Sequence, residues 1–261
     1  MTNKRRESKK DKSPFHSDRA NDWCAGCGDF GILHSLEKAL TRMALSPDKV
    51  AVFGGIGCSG KTAYYLASNG IHTLHGRLLP FASGAKLANP ELTVIAVGGD
   101  GDGLSIGAGH LVGSGRRNVD LTYLLFDNGV YGLTKGQASP TLRLGEQTKA
   151  MSEPTMLEQA NPIVLGLAAG FSWIGRGYAY DTQHLADLIE QAIQHPGSSL
   201  LTILQPCPTY NELNDKDWYG GKDLATGQSR LYSLQDEEYD PLIEEGAPPT
   251  VREQKRLQCL S

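Results

Sequence analysis

Four cysteines stand where their thiols could act together. Cys24 and Cys27 form a C-x-x-C pair in WCAGCGD, Cys58 lies in GIGCSGK, and Cys207 lies in QPCPTYN. Each lies at a loop edge near a glycine or proline, so four thiolates could converge on one metal centre. An iron–sulfur cluster, a zinc site and ordinary buried cysteines all fit, although zinc ribbons usually supply a second close pair. We expect the fifth cysteine, Cys259 in the tail, to be incidental.

The segment around Cys58 also matches the phosphate-binding P-loop pattern. Gly55 is followed by four residues and then by Gly60, Lys61 and Thr62, with a strand-like run before and a helix-like run after. This pattern favours a nucleotide triphosphatase. A P-loop holds phosphates with backbone N–H groups and gains nothing from a thiol, so it leaves Cys58 unexplained.

A second glycine-rich segment, GGDGDG at 98–103, follows the apolar run TVIAV. About one strand–helix–strand unit separates its Asp100 from Asn128, so we expect both at the carboxyl ends of neighbouring strands about 4.8 Å apart. Their oxygens could share one Mg²⁺, with phosphate oxygens, water or a backbone carbonyl as the other ligands. Helix-capping acidic turns, or the magnesium-binding aspartate that accompanies a P-loop, would fit the same residues.

Alternating elements would position these groups. Short apolar runs predict buried strands, and apolar residues at three- to four-residue spacing predict helices. The predicted strands are 49–53, 93–97, 121–126, 199–204 and, more weakly, 171–175; the predicted helices are 31–43, 62–69, 105–114 and 182–194. The alternation predicts an α/β fold with a mostly parallel sheet flanked by helices.

Composition narrows the class of protein. The chain of 261 residues is 39% hydrophobic and 21% charged, as in ordinary globular proteins, but its 31 glycines exceed the usual fraction of about 7%. The net charge of −4 argues against a dedicated nucleic-acid binder. We find no apolar run of about 18 residues and no secretory signal, so we expect no membrane span and a cytoplasmic location. Without export, five cysteines do not suggest a disulfide framework.

Taken together, the motifs resemble one enzyme family, the β subunits of 2-oxoacid:ferredoxin oxidoreductases. These are the thiamine-diphosphate-binding subunits of 2-oxoglutarate and pyruvate synthases. The chain contains, in the family's order, the motifs WCAGCGD, GIGCSGK, HGR, GDGDGLSIGAGH, RRNVDLTYLLFDNGVYGLTKGQASPT and QPCPTYN. The resemblance runs from residue 23 to about residue 211 and implies a thiamine-diphosphate-binding fold.

The resemblance also implies roles for individual residues. One [4Fe–4S] cluster would be held by Cys24, Cys27, Cys58 and Cys207, and Mg²⁺ by Asp100, Asn128 and the backbone carbonyl of Val130. The implied thiamine diphosphate contacts are Ile56, Gly57, Cys58, Ser59, His75, Gly101, Asp102, Gly132 and Leu133. The catalytic candidates are Lys61, His75 and Lys135, of which the two lysines would lie near the carboxylates of the substrate. A purely structural His75 and a solvated Lys135 are the alternatives.

The implied reaction is the CoA-dependent oxidative decarboxylation of a 2-oxoacid, with electrons passing singly through the cluster to a ferredoxin, or the reverse fixation of CO₂. The GLTKGQASPT form of the motif suggests 2-oxoglutarate or broad 2-oxoacid use, with pyruvate as the alternative. A P-loop nucleotidase and a non-catalytic iron–sulfur or zinc scaffold are remote alternatives.

Partners and segments complete the prediction. In this family a glutamate of the α subunit activates the cofactor, so we expect an α₂β₂ heterotetramer and a β chain that is inactive alone. We expect a disordered basic arm at 1–20, a thiamine diphosphate and cluster-binding domain at 21–211, and a polar acidic extension at 212–261.

Overall fold

The computed structural model describes residues 12–232, 246 and 248–251. The strands of this part are β1 (Val50–Gly54), β2 (Asn69–His72), β3 (Thr93–Gly99), β4 (Leu121–Asp127), β5 (Val130–Tyr131), β6 (Gln137–Ala138), β7 (Trp173–Tyr178) and β8 (Ser198–Leu204). The helices are α1 (Gly28–Arg42), α2 (Thr62–Tyr65), α3 (Leu78–Ala88), α4 (Ala108–Arg117), α5 (Pro162–Ala169), α6 (Thr182–Gln194) and α7 (Lys216–Tyr219).

The main sheet has six parallel strands in the order β2-β1-β3-β4-β8-β7. Successive residues of a strand face opposite sides, so Val50 and Val52 pack under α1 and α6, whereas Ala51 and Phe53 pack under α3. All residues of β1 and β8 are buried, as in sheets covered on both faces. The predicted parallel sheet flanked by helices is therefore confirmed.

Most predicted elements are present with shifted ends, but the helix predicted at 62–69 is wrong in its second half. Helix α2 ends at Tyr65, and Asn69–His72 form edge strand β2. The peptide N–H of Ala67 donates to the carbonyl of Phe15 (2.8 Å) instead of continuing the helix. The helix predicted at 105–114 begins later, as α4, because a π-helical turn (Asp102–Ile106) precedes it.

Residues 13–16 of the predicted disordered arm contact the domain. Phe15 is fully buried and packs in the same cluster as Ile32 and Leu36, a contact that stabilises by roughly 1.5–3 kcal/mol. His16 pairs with Leu66 as an isolated antiparallel bridge. We therefore place the beginning of the packed domain before Phe15, and residues 1–11 lie outside the described residues.

Residues 212–232 of the predicted extension also pack against the domain. The guanidinium groups of Arg143 and Arg230 lie 4.6 and 4.4 Å from the ring centroid of Trp218. Arg230 is buried and pairs with Asp223 through both guanidinium nitrogens. Apart from residues 246 and 248–251, the rest of the extension, including Cys259, lies outside the described residues. Where the structure describes the chain, we find no helix with the length and apolar character to cross a membrane.

Candidate active site

The carboxyl ends of β1, β3 and β4 border a cavity of about 220 Å³. Its wall consists of Ile56, Gly57, Cys58, Ser59, His75, Gly99, Asp100, Gly101, Asp102, Asn128, Val130, Tyr131, Gly132, Leu133 and Thr134. Every residue predicted to contact Mg²⁺ or thiamine diphosphate lies on this wall. Open parallel sheets bind ligands beyond the carboxyl ends of their strands, and this cavity has that position.

Asp100, directly after β3, is almost fully buried and held by four donors. Its Oδ2 accepts hydrogen bonds from the Gly129 peptide N–H (2.8 Å), the Ser139 hydroxyl (2.6 Å) and the Thr141 hydroxyl. Its Oδ1 accepts only from the N–H of Gly101 (2.8 Å) among the described residues, which leaves that oxygen free to bind a cation. Burial raises the pKa of this carboxyl, and the donors oppose that rise. A fixed, buried carboxylate oxygen fits a magnesium ligand.

Asn128, directly after β4, has its side chain fixed at both ends. The N–H of Val130 donates to Oδ1 (3.0 Å), and Nδ2 donates to Oε1 of Gln205 (2.7 Å). The backbone carbonyl of Asn128 accepts from Nδ2 of Asn211 (2.7 Å). Because Oδ1 can accept a second bond, this orientation leaves an amide oxygen for Mg²⁺, as the strand arrangement predicts.

Asp102 joins two loops of the cavity wall. Its Oδ1 accepts from the peptide N–H groups of Ile56 (3.0 Å) and Gly76 (2.8 Å), and lies 2.8 Å from Nδ1 of His75. Since Nδ1 of the ring is engaged, Nε2 is the nitrogen left for a ligand. Asp102 was predicted as a cofactor contact, and the structure shows that it also positions His75.

Glycines leave room in the cavity. Gly57 has a φ of +135°, and a Cβ placed on it would meet no described atom within 4 Å, so its face is open for a ligand. A Cβ on Gly101 would instead lie 2.3 Å from the ring of Tyr131. Tyr131 therefore closes one side of the cavity through contact with a backbone that carries no side chain.

The predicted cluster ligands gather beside this cavity as free thiols. A Cβ on Gly132 would lie 3.6 Å from Sγ of Cys58 and 3.9 Å from Sγ of Cys207, so the two sulfurs flank that glycine. Burial and the nearby Asp29 raise the pKa of Cys58 to about 11, with smaller contributions from Cys207 and Cys24. Burial and Asp29 likewise raise the pKa of Cys27, to which Cys207 also contributes.

Several donors and aromatic rings surround the thiols. The indole N–H of Trp23 donates to the carbonyl of Cys58 (2.8 Å), and Trp23 packs with Cys27 and Tyr65. Burial raises the pKa of the Cys207 thiol, and hydrogen bonds from the peptide N–H groups that follow it oppose that rise. Among the described residues, no three His, Cys, Asp or Glu side chains could hold a single metal ion. Four cysteine thiolates around a cubane bind its irons separately, and donors to sulfur are typical of such sites.

The predicted substrate lysines lie elsewhere. Neither Lys61 nor Lys135 belongs to the cavity wall of the described chain. Nζ of Lys61 lies 2.9 Å from Oδ2 of Asp22. Lys135 is exposed and has a left-handed backbone, with a φ of +80°. A role for either lysine in substrate binding therefore stays a prediction.

Comparison with known proteins decides the family. Residues 55–203 match the family described as "Thiamine pyrophosphate enzyme, C-terminal TPP binding domain". The chain is 53% identical over 222 residues to "2-oxoacid:ferredoxin oxidoreductase 2, subunit beta" of Aeropyrum pernix, a match that covers 85% of this chain and 69% of that protein. The chain belongs to the β subunits of 2-oxoacid:ferredoxin oxidoreductases.

Other similar proteins support the same family assignment for this β subunit. The 2-oxoacid:ferredoxin oxidoreductase subunit beta of Saccharolobus solfataricus is 51% identical over 226 residues, covering 85% of this chain and 72% of that protein. The solved structure of 2-oxoglutarate:ferredoxin oxidoreductase from Magnetococcus marinus "with 2-oxoglutarate, coenzyme A and succinyl-CoA bound" has a TM-score of 0.81 and 36% identity. This structural match covers 90% of this chain and 78% of the Magnetococcus marinus chain. The family membership and the fold predicted from the motifs are thereby confirmed.

Sequence reasoning missed the residues that hold the β subunit's predicted ligands in place. They lie within the motifs GVYGLTKGQASPT and QPCPTYN but were given no role: Tyr131, Ser139, Thr141, Gln205 and Asn211. The available signal was their polarity next to buried strands, since a polar group there needs a partner. The identity of each partner could not be read from spacing.

Proposed function

We propose that this β subunit binds thiamine diphosphate, Mg²⁺ and one [4Fe–4S] cluster for the CoA-dependent oxidative decarboxylation of a 2-oxoacid, or for its reversal. The observation that carries the proposal is the position of Cys58. This residue belongs to the cavity wall, and its sulfur lies beside that of Cys207 across Gly132. The proposed diphosphate site and the proposed cluster site would therefore adjoin.

Mg²⁺ would be held by Asp100, Asn128 and the carbonyl of Val130, and the four thiolates would hold the cluster. Both sites fit the residues present. Asp100 is a buried carboxylate with one oxygen open, and the space at Gly132 is bounded by two free thiols. When bound, thiamine diphosphate supplies the electron sink for loss of CO₂, and the cluster accepts electrons one at a time.

The chain's own residues position and enclose the reactants. Ile56, Gly57, Ser59 and the segment after Asp100 form the glycine-rich part of the wall, where backbone can approach a diphosphate closely. The Asp102 carboxylate accepts a hydrogen bond from Nδ1–H of His75 and so fixes the ring, which would present Nε2 to the cofactor or substrate. Gly101, Gly132 and Leu133 would complete the cofactor contacts, and Lys61 and Lys135 would attract the substrate carboxylates once the partner subunit is in place.

We propose 2-oxoglutarate as the main substrate, with pyruvate as the second candidate. The support comes from the Magnetococcus marinus enzyme, whose structure contains 2-oxoglutarate and succinyl-CoA. The partners would be an α subunit, in an α₂β₂ heterotetramer, and a ferredoxin. The complex would be located in the cytoplasm. Exposed apolar side chains near the cavity support a covering subunit; they are Leu74, Ile106 and Leu133.

The decisive experiment compares the αβ complex with the isolated β chain under anaerobic conditions. We expect about four irons and one thiamine per αβ pair, and CoA-dependent dye reduction that is faster with 2-oxoglutarate than with pyruvate. The β chain alone should show no turnover. A complex that holds neither thiamine nor iron would contradict the proposal, and faster turnover of pyruvate would reverse the substrate assignment.

A further inference from the structure

Gln205, the first residue after β8, contacts both predicted sites at once. It is 2% exposed. Its Oε1 accepts from Nδ2 of Asn128 (2.7 Å), and its Nε2 donates to Sγ of Cys27 (3.4 Å) and to the carbonyl of Pro206 (2.9 Å). One amide therefore spans the distance between a predicted magnesium ligand and a predicted cluster ligand.

The groups at the two ends determine which way this amide points. The N–H of Val130 needs an acceptor, so Asn128 must turn Oδ1 towards it and Nδ2 towards Gln205. At the other end, two acceptors face Gln205: Sγ of Cys27 and the carbonyl of Pro206, which also accepts from the N–H of Gly28 (3.2 Å). Gln205 therefore turns Nε2 towards both. A reversed amide would set donor against donor at one end and acceptor against acceptor at the other.

Packing keeps the Gln205 side chain in this place. Its peptide N–H donates to the carbonyl of Asp127 (2.8 Å), which ties the residue to the end of β4. A Cβ on Gly28 would lie only 2.9 Å from Cγ of Gln205, so the glycine after Cys27 leaves the room that the side chain occupies. The amide is thus held between α1 and the carboxyl ends of β4 and β8.

We propose that Gln205 is a positioning residue that links the two cofactor sites, an inference that rests on the proposed function. Through Oε1 it holds the oxygen of Asn128 towards Mg²⁺. Through Nε2 it donates a hydrogen bond to the cluster-ligating sulfur of Cys27, which stabilises the more negative, reduced cluster and raises its reduction potential.

Two variants separate the halves of this role in the αβ complex. Gln205→Glu keeps the acceptor for Asn128 and removes the donor, whereas Gln205→Met keeps an unbranched side chain and removes both. Cluster potential is measured by EPR-monitored redox titration, and Mg²⁺ affinity by calorimetric titration of metal-stripped complex in the presence of thiamine diphosphate. Gln191→Leu, an exposed change on α6, is the matched control.

We expect both variants to shift the cluster equilibrium towards the oxidised form by up to about tenfold at a fixed potential, which is about 59 mV for one electron. Gln205→Met should also weaken Mg²⁺ binding by about 10- to 100-fold, whereas Gln205→Glu should not weaken it beyond about threefold. The control should change neither quantity.

Each remaining outcome is decisive. A Gln205→Met complex with wild-type potential and wild-type Mg²⁺ affinity would overturn the inference. If Gln205→Met fails to hold the cluster, Gln205→Glu decides, and an unchanged potential in that variant overturns the link to Cys27. A wild-type complex without thiamine or cluster would instead show that the proposed function itself is wrong.

Discussion

The amine of Lys61, three residues after Cys58, lies 2.9 Å from a carboxylate oxygen of Asp22. The hydrogen bond to Tyr65 and that to Lys61 lower the pKa of Asp22, whose side chain remains 63% exposed. The lysine that completes a P-loop pattern in the sequence is therefore engaged by a neighbouring loop rather than directed into the cavity.

This ion pair makes the role of Lys61 testable. An exposed ion pair contributes about 0–1 kcal/mol to the free energy of unfolding. Because so weak a pair holds Lys61 only loosely, Asp22→Asn should change the KM for 2-oxoglutarate by less than about threefold. If Lys61 binds a substrate carboxylate in the complex, Lys61→Met loses a charged contact worth about 1.5–3 kcal/mol and raises the KM at least about tenfold. Steady-state kinetics of both variants decide. Equally small effects would limit Lys61 to holding Asp22.

Asp102 should matter for stability as well as for cofactor binding. Asp102→Ala leaves the peptide N–H groups of half-buried Ile56 and buried Gly76, and the His75 ring, without their acceptor. We therefore expect a loss of about 2–4 kcal/mol in the free energy of unfolding. His75→Ala removes a side chain that is 39% exposed and should cost less than about 1 kcal/mol while weakening thiamine diphosphate binding. Denaturant unfolding and calorimetric titration measure the two effects. Equal stability losses would contradict this division of roles.

The loop after β1 requires glycine for steric reasons that are independent of its ligand. A Cβ on Gly60 would lie 1.8 Å from the carbonyl oxygen of Gly55, so Gly60→Ala must displace the backbone and should destabilise the chain by about 3 kcal/mol or more. Gly84 is exposed within α3, and a Cβ placed on it would meet no atom of the described residues within 4 Å, so Gly84→Ala should stabilise by about 0.5–1 kcal/mol. Thermal and denaturant unfolding of both variants test the contrast, and a tolerated Gly60→Ala would refute the close contact.

The spacing of apolar and polar residues predicted those elements whose structure depends on residues close together in the sequence. The amphipathic helix at 182–194 coincides with α6, and Asp100 and Asn128 line the same cavity because adjacent parallel strands end together. The same spacing gave a wrong prediction where a residue distant in the sequence determines where a helix ends. Helix α2 stops early because the carbonyl of Phe15 takes the N–H of Ala67, and nothing in the local sequence reveals that competition.

The same limit applies to the candidate site. The motifs predicted four cluster thiols and three magnesium ligands because the chemistry of these residue types is specific. They could not assign Gln205, which joins Asn128 to Cys27 across most of the chain, or the packing of Arg230 on Trp218. Such contacts depend on which loops meet after folding, and spacing within one motif carries no information about them.

Cys58 gives the sharpest test of how the loop works. Cys58→Ala should abolish the EPR signal of the reduced cluster and most of the bound iron, since it removes one of four thiolates. Cys259→Ser, in the tail, is the matched control and should leave both unchanged. The change at Cys58 deletes only one sulfur from a half-buried position, so we expect the chain to stay folded by circular dichroism. Retention of the full iron content by a folded Cys58→Ala complex would show that the thiol is not a cluster ligand, and a phosphate-binding loop without a cluster would then again have to be considered.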